Sequence, residues 1–406
     1  MQFIQNIMSK DITIVTGQFP ARSETFVTQH IMGLARLGWN VNVIASRIGE
    51  SIETFELDSI DALGVKRHYI EFISGSFFQK LFKLFLVLIK EPKLLNFIYK
   101  DRVWSRFEIL WSAQVSELIN AINPQITHIH YGSKAAPLSL FKINSKIFVT
   151  WHGYDANIKP KVYGEDMYYP LFKRGLIHTV GSNFMMNRLQ ELGCLKKDLR
   201  KVPMGVDIDL FQYVDRSMRN NKTLKIISTG RLDEMKGHKY LIDALSILKA
   251  RDILVNLKII GDGPLYLSLK NQIKEKNLSA NINLLGSQNS KVIIQELAAS
   301  DLFVLAGVIA DSGRVETQGV AIIEAQASGL PVIVTDVGGV SESLLPSKTG
   351  QLVPSRDARA IADAITKYIN HKDLLINHGR AGNNYVKKYF SIQKMLKTFE
   401  EMYFDK

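Results

Sequence analysis

The sequence of 406 residues contains a single cysteine, Cys194. One thiol cannot form an internal disulfide bond, so the composition suits a reducing compartment such as the cytoplasm. No histidine or acid motif lies beside Cys194, and we interpret it as a packing residue.

Export and membrane-spanning segments are also missing from the sequence. The first ten residues have neither the charged start nor the continuous apolar core of a signal peptide. The longest apolar run in a basic setting, residues 84–89, is far shorter than the roughly 20 residues that a membrane-spanning helix needs. We therefore expect a cytoplasmic protein without a transmembrane segment.

Two motifs that mark other enzyme classes do not occur. Neither half of the sequence has G-x-G-x-x-G after its first strand-like run, which a dinucleotide site requires. This absence argues against an NAD-dependent oxidoreductase. No Asp-x-Asp follows a strand in a metal-binding arrangement, so we expect neither a metal nor another cofactor.

The composition that is present is that of a globular protein. Apolar residues make up 46% and charged residues 22% of a chain that is long enough for two domains of about 200 residues each. The net charge of +12 predicts an anionic partner, such as phosphates, a lipid surface or nucleic acid.

Apolar runs and helical spacing alternate along the chain, which predicts an α/β fold with two doubly wound domains. In the first half, a helix from Ser23, a plausible N-cap, follows the opening strand, and we count six parallel strands. Turn formers in residues 202–207 mark a hinge. The expected divisions are an N-terminal domain (residues 1–206), a C-terminal domain (207–390) and a final helical stretch (391–406).

The most informative stretch is residues 314–339, which, with the apolar run 301–305 before it, predicts strand, loop, helix and strand of a parallel sheet. Glu316 lies in the loop and Glu324 lies in an otherwise apolar helix, where an unpaired charge is costly. An arbitrary pair of glutamates is most often exposed to solvent. Here the apolar surroundings favour a site in which Glu324 accepts hydrogen bonds from ribose hydroxyls and Glu316 holds the next group of a ligand.

A cationic turn follows the first strand of the second half. Arg231 and Lys236 flank a turn that leads into a helix, and Gly230 and Gly237 let the backbone approach a ligand. A helix N-terminus with two cations is suited to a diphosphate. We therefore expect Arg231 and Lys236 to neutralise a diphosphate in place of a metal.

Three histidines in the first half are open to two interpretations. His152 follows an apolar strand and precedes Gly153, so it is either a structural residue or a ligand contact, with Asp155 as a weaker candidate beside it. His128 and His130 have metal-like spacing, but no third ligand lies nearby in the sequence, and we do not expect them to bind metal.

These segments together resemble the retaining E-x7-E glycosyltransferases, glycosyltransferase family 4, including exopolysaccharide and colanic-acid-type members. One difference is that many members have glycine directly after the first glutamate, where this chain has Thr317, with Gly319 two residues later. The segments that carry the resemblance, beside the glutamate stretch, are residues 230–237, Gly261-Asp-Gly263-Pro264, residues 202–207, Ser23-Glu24-Thr25-Phe26 and His152-Gly153-Tyr154-Asp155.

The resemblance implies a GT-B fold, with two Rossmann-like domains that face a cleft and a final helix that crosses back to the first domain. It implies that His152 contacts the transferred sugar. The catalytic residues are then expected to be Glu316, His152, Lys236 and Arg231. The nucleotide-sugar-binding residues are expected to be Glu324, Arg231, Lys236, Gly230, Gly319, Val320 and Gly263.

The implied reaction is transfer of a hexose, from a UDP-sugar rather than a GDP-sugar, to a saccharide acceptor with retention of configuration and without metal. The resemblance further implies a polyprenyl-diphosphate-linked oligosaccharide as acceptor, in exopolysaccharide, capsule or lipopolysaccharide biosynthesis. A nucleotide-sugar epimerase of the same architecture is the alternative. A basic module that binds nucleic acid explains the charge but not Glu316, Glu324 and the cationic turn together, so we expect no nucleic-acid partner.

Residues 76–106 carry seven basic and two acidic side chains, a local charge of +5. Phe77, Leu81, Leu84 and Leu88 recur at helical spacing, which predicts an amphipathic helix. Such a helix either packs on the sheet of its own domain or lies in the headgroup region of an anionic membrane. A lipid-linked acceptor favours the second interpretation, with the protein peripheral on the inner face of the plasma membrane.

Overall fold

The structure is a computed structural model that describes residues 10–21, 24–49, 54–71, 82, 85, 88–89, 104–219 and 223–405. The chain forms two compact units. Unit 1 comprises the residues up to Gly181, Met185–Val202 and the residues from Leu396 on. Unit 2 comprises Ser182–Phe184 and Pro203–Met395.

Unit 1 is built on a seven-stranded parallel sheet in the order β3-β2-β1-β4-β5-β6-β7. Its strands are β1 (Asp11–Val15), β2 (Asn40–Ala45), β3 (Lys66–Tyr69), β4 (Ile126–His130), β5 (Lys146–Trp151), β6 (Ile177–Val180) and β7 (Leu199–Lys201). The helices described between them are α1 (Thr25–Arg36), α2 (Thr54–Asp61), α3 (Arg106–Ile122), α4 (Gly132–Leu138), α5 (Tyr154–Asn157), α6 (Lys159–Tyr163), α7 (Tyr169–Phe172) and α8 (Asn183–Glu191).

Apolar periodicity explains how unit 1 is assembled. On α1, Val27, Ile31 and Leu34 recur at helical spacing and are all buried. The prediction of six strands was wrong by one, because β7 pairs with β6 through three residues of which only Leu199 is buried. A single apolar residue between charged neighbours has no period that distinguishes it from a turn.

Unit 2 is built on a six-stranded parallel sheet in the order β10-β9-β8-β11-β12-β13. Its strands are β8 (Leu224–Thr229), β9 (Val255–Ile260), β10 (Ile282–Leu284), β11 (Leu302–Leu305), β12 (Val332–Thr335) and β13 (Gly350–Val353). The helices that follow β8 are α9 (His238–Ala250), α10 (Tyr266–Glu275), α11 (Ser290–Ala299), α12 (Val320–Ala327), α13 (Ala358–Asn370), α14 (Lys372–Tyr389) and α15 (Ile392–Phe404).

Two hydrophobic clusters fill the core of unit 2. One contains Leu241, Leu245 and Leu248, which recur along α9 and are buried. The other contains the apolar face of α12, including Ile322 and Ile323. The edge strand β13 was not predicted, because its short sequence Gly-Gln-Leu-Val has too few apolar residues to show a strand period.

Both sheets confirm the predicted α/β class with two doubly wound domains. In unit 1 the strand order reverses between β1 and β4, and in unit 2 it reverses between β8 and β11. Ligands of such sheets bind beyond the carboxyl ends of the strands at this reversal. Within the described residues, none of the helices combines the length and the apolar composition that crossing a bilayer demands.

Candidate active site

An ion pair lies beyond the carboxyl ends of β8 and β11 in unit 2. Lys236 ends a short 3-10 helix, Glu234–Lys236, that follows β8, and Glu316 lies in the loop between β11 and α12. The Nζ atom of Lys236 donates a short hydrogen bond to Oε2 of Glu316. The two side chains are only 13% and 14% exposed. The structure therefore brings two predicted site residues together in a nearly enclosed pair.

The two glutamates differ in their affinity for a proton. Burial alone raises the pKa of Glu316, but the charge and hydrogen bond of Lys236, with the N–H groups of Gly319 and Thr317, outweigh it and hold the pKa below its usual value. Burial raises the pKa of Glu324 to about 7, against the opposing effect of Lys236. Glu316 is therefore ionised at neutral pH, whereas Glu324 is close to its titration point.

Close backbone packing holds this pair in place. A Cβ atom added to Gly237, which has a φ of +65°, would lie 1.7 Å from the carbonyl oxygen of Ala306. A Cβ added to Gly338 would lie 2.1 Å from the carbonyl oxygen of Glu316, and Gly339 N–H donates to that same oxygen at 3.0 Å. Only glycine permits these approaches without a shift of the backbone.

The remaining predicted glycines lie on three loops of unit 2. Gly319 is the left-handed N-cap of α12, and Val320 is the first helical residue. Gly230 follows β8 beside the aliphatic stem of Lys236. A Cβ added to Gly263 would lie 2.6 Å from the carbonyl oxygen of Leu232, so the loop after β9 packs closely against the loop after β8.

Arg231 is exposed and makes no ion pair among the residues that the structure describes. It follows β8, five residues before Lys236. A second arginine was missed by the sequence analysis: Arg314 donates to Asp233 Oδ2 at 3.0 Å, and Asp233 is buried. The sequence could have pointed to Arg314, because Arg314 lies in the same loop just before Glu316.

His152 lies in unit 1, directly after β5, and is half-buried. Its Nε2 is 2.9 Å from Nδ1 of His130, and its ring packs against Phe26 and Tyr131 with centroids 4.5 and 4.7 Å away. Burial, with the charges of His130 and His30, lowers its pKa well below the usual value. His152 is therefore neutral at pH 7.

Asp155 joins the loops that follow β4 and β5. Its buried carboxylate accepts from the N–H groups of Gly132 at 2.8 Å, His152 at 3.3 Å and Gly153 at 2.9 Å. Burial nevertheless raises the pKa of Asp155. These contacts assign Asp155 to holding the backbone around His152.

No third ligand lies near His128 and His130 in the sequence, but the fold supplies one. His30 on α1 lies beside them, and one nitrogen from each of the three buried rings falls within 4.8 Å of the others. Sequence spacing did not show this, because His30 is 100 residues from His130 in the chain. In the described part of the chain this is the one group of three such side chains close enough to share an ion.

Tyr131 is a further residue of this region that the sequence analysis missed. It follows β4 with a φ of +78°, which is rare for a bulky side chain. Its hydroxyl hydrogen-bonds Glu24, and burial raises the pKa of the phenol. Strained residues of this kind concentrate at functional sites.

Two predictions fall wholly or largely outside the described residues. Ser23, the expected N-cap, is one of them. Most of residues 76–106 is the other, with Phe82, Phe85, Leu88, Ile89 and residues 104–106 as the described exceptions.

Cys194 is buried, and burial raises the pKa of its thiol to about 12.

Comparison with known proteins decides the family. Residues 212–385, which contain the Lys236–Glu316 pair, match the family described as glycosyl transferases group 1. The "Uncharacterized glycosyltransferase MJ1178" of Methanocaldococcus jannaschii is 30% identical over 295 residues, which cover 70% of this chain and 78% of that one. The chain belongs to the group 1 glycosyl transferases.

Other relatives of this glycosyltransferase extend over most of its length. The amylovoran biosynthesis glycosyltransferase AmsK of Erwinia amylovora is 27% identical over 361 residues, 86% of this chain and 88% of AmsK. The crystal structure of Anabaena HepE in complex with UDP has a TM-score of 0.74 and 15% identity, covering 97% of this chain and 98% of HepE. The likeness to HepE confirms the predicted GT-B fold of the glycosyltransferase.

Proposed function

We propose that this glycosyltransferase moves a hexose from a nucleotide sugar to a hydroxyl of a saccharide acceptor, with retention of the anomeric configuration. The observation that carries the proposal is the enclosed Lys236–Glu316 pair with Glu324, beyond the carboxyl ends of the strands where the sheet of unit 2 reverses. Two acids and a cation at this place match the chemistry of a sugar, a ribose and a diphosphate.

Each predicted residue has a role in this proposal. Lys236 and the exposed Arg231 neutralise the diphosphate, and the N–H of Val320 at the start of α12 donates to its oxygens, while Gly319, the left-handed N-cap whose own N–H bonds Glu316, lets the backbone approach it. Glu324 accepts from the ribose hydroxyls. Because Glu316 remains ionised, it accepts from hydroxyls of the transferred sugar. Gly230 and Gly263 leave space for the nucleotide, and His152 contacts the transferred sugar.

The acceptor is proposed to be an oligosaccharide on polyprenyl diphosphate, extended in exopolysaccharide, capsule or lipopolysaccharide biosynthesis. The name of AmsK, a relative over 86% of this chain, supports a role in building a polysaccharide. We propose UDP-sugars rather than GDP-sugars as donors, and the reaction needs no metal or other cofactor because Lys236 and Arg231 supply the positive charge.

A thermal-shift screen of UDP- and GDP-sugars, followed by transfer assays, tests the proposal. A donor that binds only the native state raises the unfolding temperature. The same donor should be turned over only when a saccharide acceptor is present. Interconversion of the nucleotide sugar without acceptor would instead identify an epimerase.

The stereochemical part of the proposal is tested on the product. An inverting enzyme needs a carboxylate or histidine base to deprotonate the acceptor, and His152 is neutral but already hydrogen-bonded to His130. We expect the leaving phosphate to take the acceptor proton on the same face. Proton NMR of the anomeric signal should show an α linkage from an α donor, and a β linkage would refute retention.

We further propose that the protein binds the inner face of an anionic membrane through residues 76–106. Leu88, the member of the predicted apolar stripe that the structure describes, packs against a buried cluster of unit 1. Phe82, Phe85 and Ile89, which are spaced by three and four residues in helical conformation, are instead 62%, 58% and 59% exposed. Exposed apolar residues at helical spacing within a basic segment are the pattern of an interfacial helix.

Liposome flotation with anionic and neutral lipids tests this surface. Changing Phe82, Phe85 and Ile89 to serine should abolish flotation, as should changing Lys80, Lys83, Lys90 and Lys93 to glutamate. Serine at Leu254 and Leu267, which are 60% and 71% exposed in unit 2, is the matched control and should change nothing. Equal flotation of all variants, or none by wild type, would contradict the proposal.

A further inference from the structure

His152 is the first member of a chain of hydrogen-bonded side chains in unit 1. Its Nε2 is 2.9 Å from Nδ1 of His130, whose Nε2 is 3.2 Å from Nδ1 of His30. Nε2 of His30 is 3.3 Å from the hydroxyl of Tyr403. These four side chains come from the loop after β5, from β4, from α1 and from α15.

The chain continues from Tyr403 into the sheet. The Tyr403 hydroxyl is 2.5 Å from Nδ1 of His128, and Nε2 of His128 is 2.6 Å from Oγ1 of Thr150. Thr150 Oγ1 is 2.5 Å from Oγ1 of Thr179. All the members except His152 are buried. Both nitrogens of His30, His128 and His130 are therefore occupied by another histidine, which includes His152, or by a hydroxyl group.

Burial keeps the four imidazoles neutral. It lowers the pKa of His130 to about 3, and burial with the charges of neighbouring histidines lowers the pKa values of His30, His128 and His152 well below the usual value. A neutral imidazole has one N–H and one acceptor nitrogen. Each hydrogen bond of the chain then contains one hydrogen. All groups must therefore donate in the same direction, either toward His152 or toward Thr179.

Thr179 determines the direction in which the groups of the chain donate. If it donates to Thr150, every link is satisfied, and the last link is an N–H of His130 that points at Nε2 of His152. In the opposite direction the hydroxyl hydrogen of Thr179 needs a further acceptor, and the described residues provide none. A buried donor without an acceptor costs about 1–3 kcal/mol. The first direction is therefore the stable one.

We infer that this chain fixes the tautomer of His152, with its proton on Nδ1, and that His130, His30 and Tyr403 are positioning residues for His152. The tautomer of a histidine is set by the hydrogen bond at its other nitrogen. In this tautomer Nδ1 donates a hydrogen bond and does not accept a proton. The consequence for transfer, that His152 acts as a donor to a sugar oxygen rather than as a base, rests on the proposed function, whereas the tautomer itself does not.

The same three buried histidines have the spacing of a metal site. Their nitrogens are already paired, and no carboxylate among the described residues bonds to them to balance a divalent cation. Burying an unbalanced charge is costly. The geometry therefore favours a hydrogen-bonded chain over a metal site. Bound zinc is one of the outcomes that the experiment can detect.

The experiment is nitrogen NMR of protein labelled with 15N-histidine, in wild type and in Tyr403→Phe. The His152 signals are assigned by their loss in His152→Gln. Tyr368→Phe in unit 2 is the matched control, because Tyr368 is buried and its hydroxyl lies 2.8 Å from Nδ1 of His378. Bound zinc is measured by mass spectrometry on protein purified without a histidine tag.

Wild type and Tyr368→Phe should show His152 protonated at Nδ1. In Tyr403→Phe the chain is cut between His128 and His30, so both tautomers of His152 should appear, and transfer should fall about five- to tenfold, the scale of one neutral hydrogen bond. Nε2 protonation or a charged ring in wild type would overturn the inference. An unchanged tautomer in folded Tyr403→Phe, or one bound zinc per chain, would also overturn it. Loss of the tautomer preference without any transferase activity would instead contradict only the proposed function.

Discussion

Lys236 and Glu316, 80 residues apart in sequence, form an ion pair that is almost closed to solvent. Both residues follow parallel strands, β8 and β11, that are neighbours at the reversal of the sheet in unit 2. In such a setting, removal of one partner leaves the other as an uncompensated charge. We therefore expect Lys236 and Glu316 each to hold the other in position, in addition to contacting the ligand.

Lys236→Ala and Glu324→Ala should each lower turnover by a factor of about 100 or more, the scale seen when a partner of transition-state charge is lost. Glu316→Gln should lower turnover by a similar factor, because Lys236 then loses the carboxylate that holds its side chain in place. Steady-state kinetics with the donor from the screen, with circular dichroism to check the fold, measure the effect.

Lys258→Ala is the matched control for these substitutions. Lys258 forms an ion pair of 2.6 Å with Glu296 in unit 2, but its side chain is 41% exposed. Exposed pairs contribute little, so activity should stay within about twofold. Activity of folded Lys236→Ala within a few fold of wild type would contradict the assignment of the site.

Donor affinity should depend on pH through Glu324, whose pKa burial raises to about 7. The carboxylate must be ionised to accept from ribose hydroxyls, so binding should weaken as the pH falls. Between about pH 8 and pH 6 the ionised fraction falls about tenfold, and the dissociation constant should rise by the same factor. Calorimetry with UDP-glucose is suitable, because this donor has no terminal phosphate that titrates near pH 6. Glu324→Gln should remove the dependence, and an equally steep profile in that variant would assign it to another group.

Transfer activity should survive chelation. The proposed site uses Lys236 and Arg231 where a metal-dependent transferase uses an acidic pair that holds a cation. Product formation with EDTA should remain within about twofold of the untreated rate. Complete loss that manganese or magnesium restores would show that the diphosphate site was misinterpreted.

Unit 1 should lose stability in mild acid because its histidines are buried as neutral rings. Burial lowers the pKa of His130 to about 3 in the folded state, against about 6.5 in the unfolded chain. The unfolded chain then binds more protons, so the free energy of unfolding falls as the pH drops below about 6.5. The loss from His130 alone is about 2 kcal/mol at about pH 5.

Denaturant unfolding at about pH 5 and pH 7 measures this loss. Between these two pH values, His130→Gln should reduce the pH slope by about 1 kcal/mol per pH unit, although its neighbours His30 and His152 still contribute. His371→Gln, at an exposed position in unit 2, is the matched control for the loss of a histidine. Equal slopes in wild type and His130→Gln would show that the ring of His130 is not held neutral.

Residues that follow buried strands were predictable from sequence. Lys236, Glu316 and Glu324 lie next to strong apolar runs, and the topology of a parallel sheet then places strand ends together. The short edge strands β7 and β13 were not predictable, since three or four residues with few apolar side chains carry no clear period.

The histidine chain was beyond the reach of sequence patterns for a different reason. His30 lies on the buried face of α1 among Val27, Ile31 and Leu34, where its position indicates only core packing. Its meeting with His130 depends on how α1 crosses the sheet. Tyr403 reaches the same place from α15, 275 residues after His128. Neither distance leaves a local signal in the sequence.

Unit 1 is completed by residues that are synthesised after unit 2. Phe399 stacks on His30 with centroids 4.5 Å apart, and Trp39 donates to Glu400 at 2.8 Å. On the ribosome, the strands and most helices of the first unit are therefore synthesised early. A gap over His30 and Trp39 stays uncovered until translation has passed residue 404. An elongating chain must hold this gap in a state that does not aggregate, and a fusion or stop placed before Leu396 would leave it open permanently.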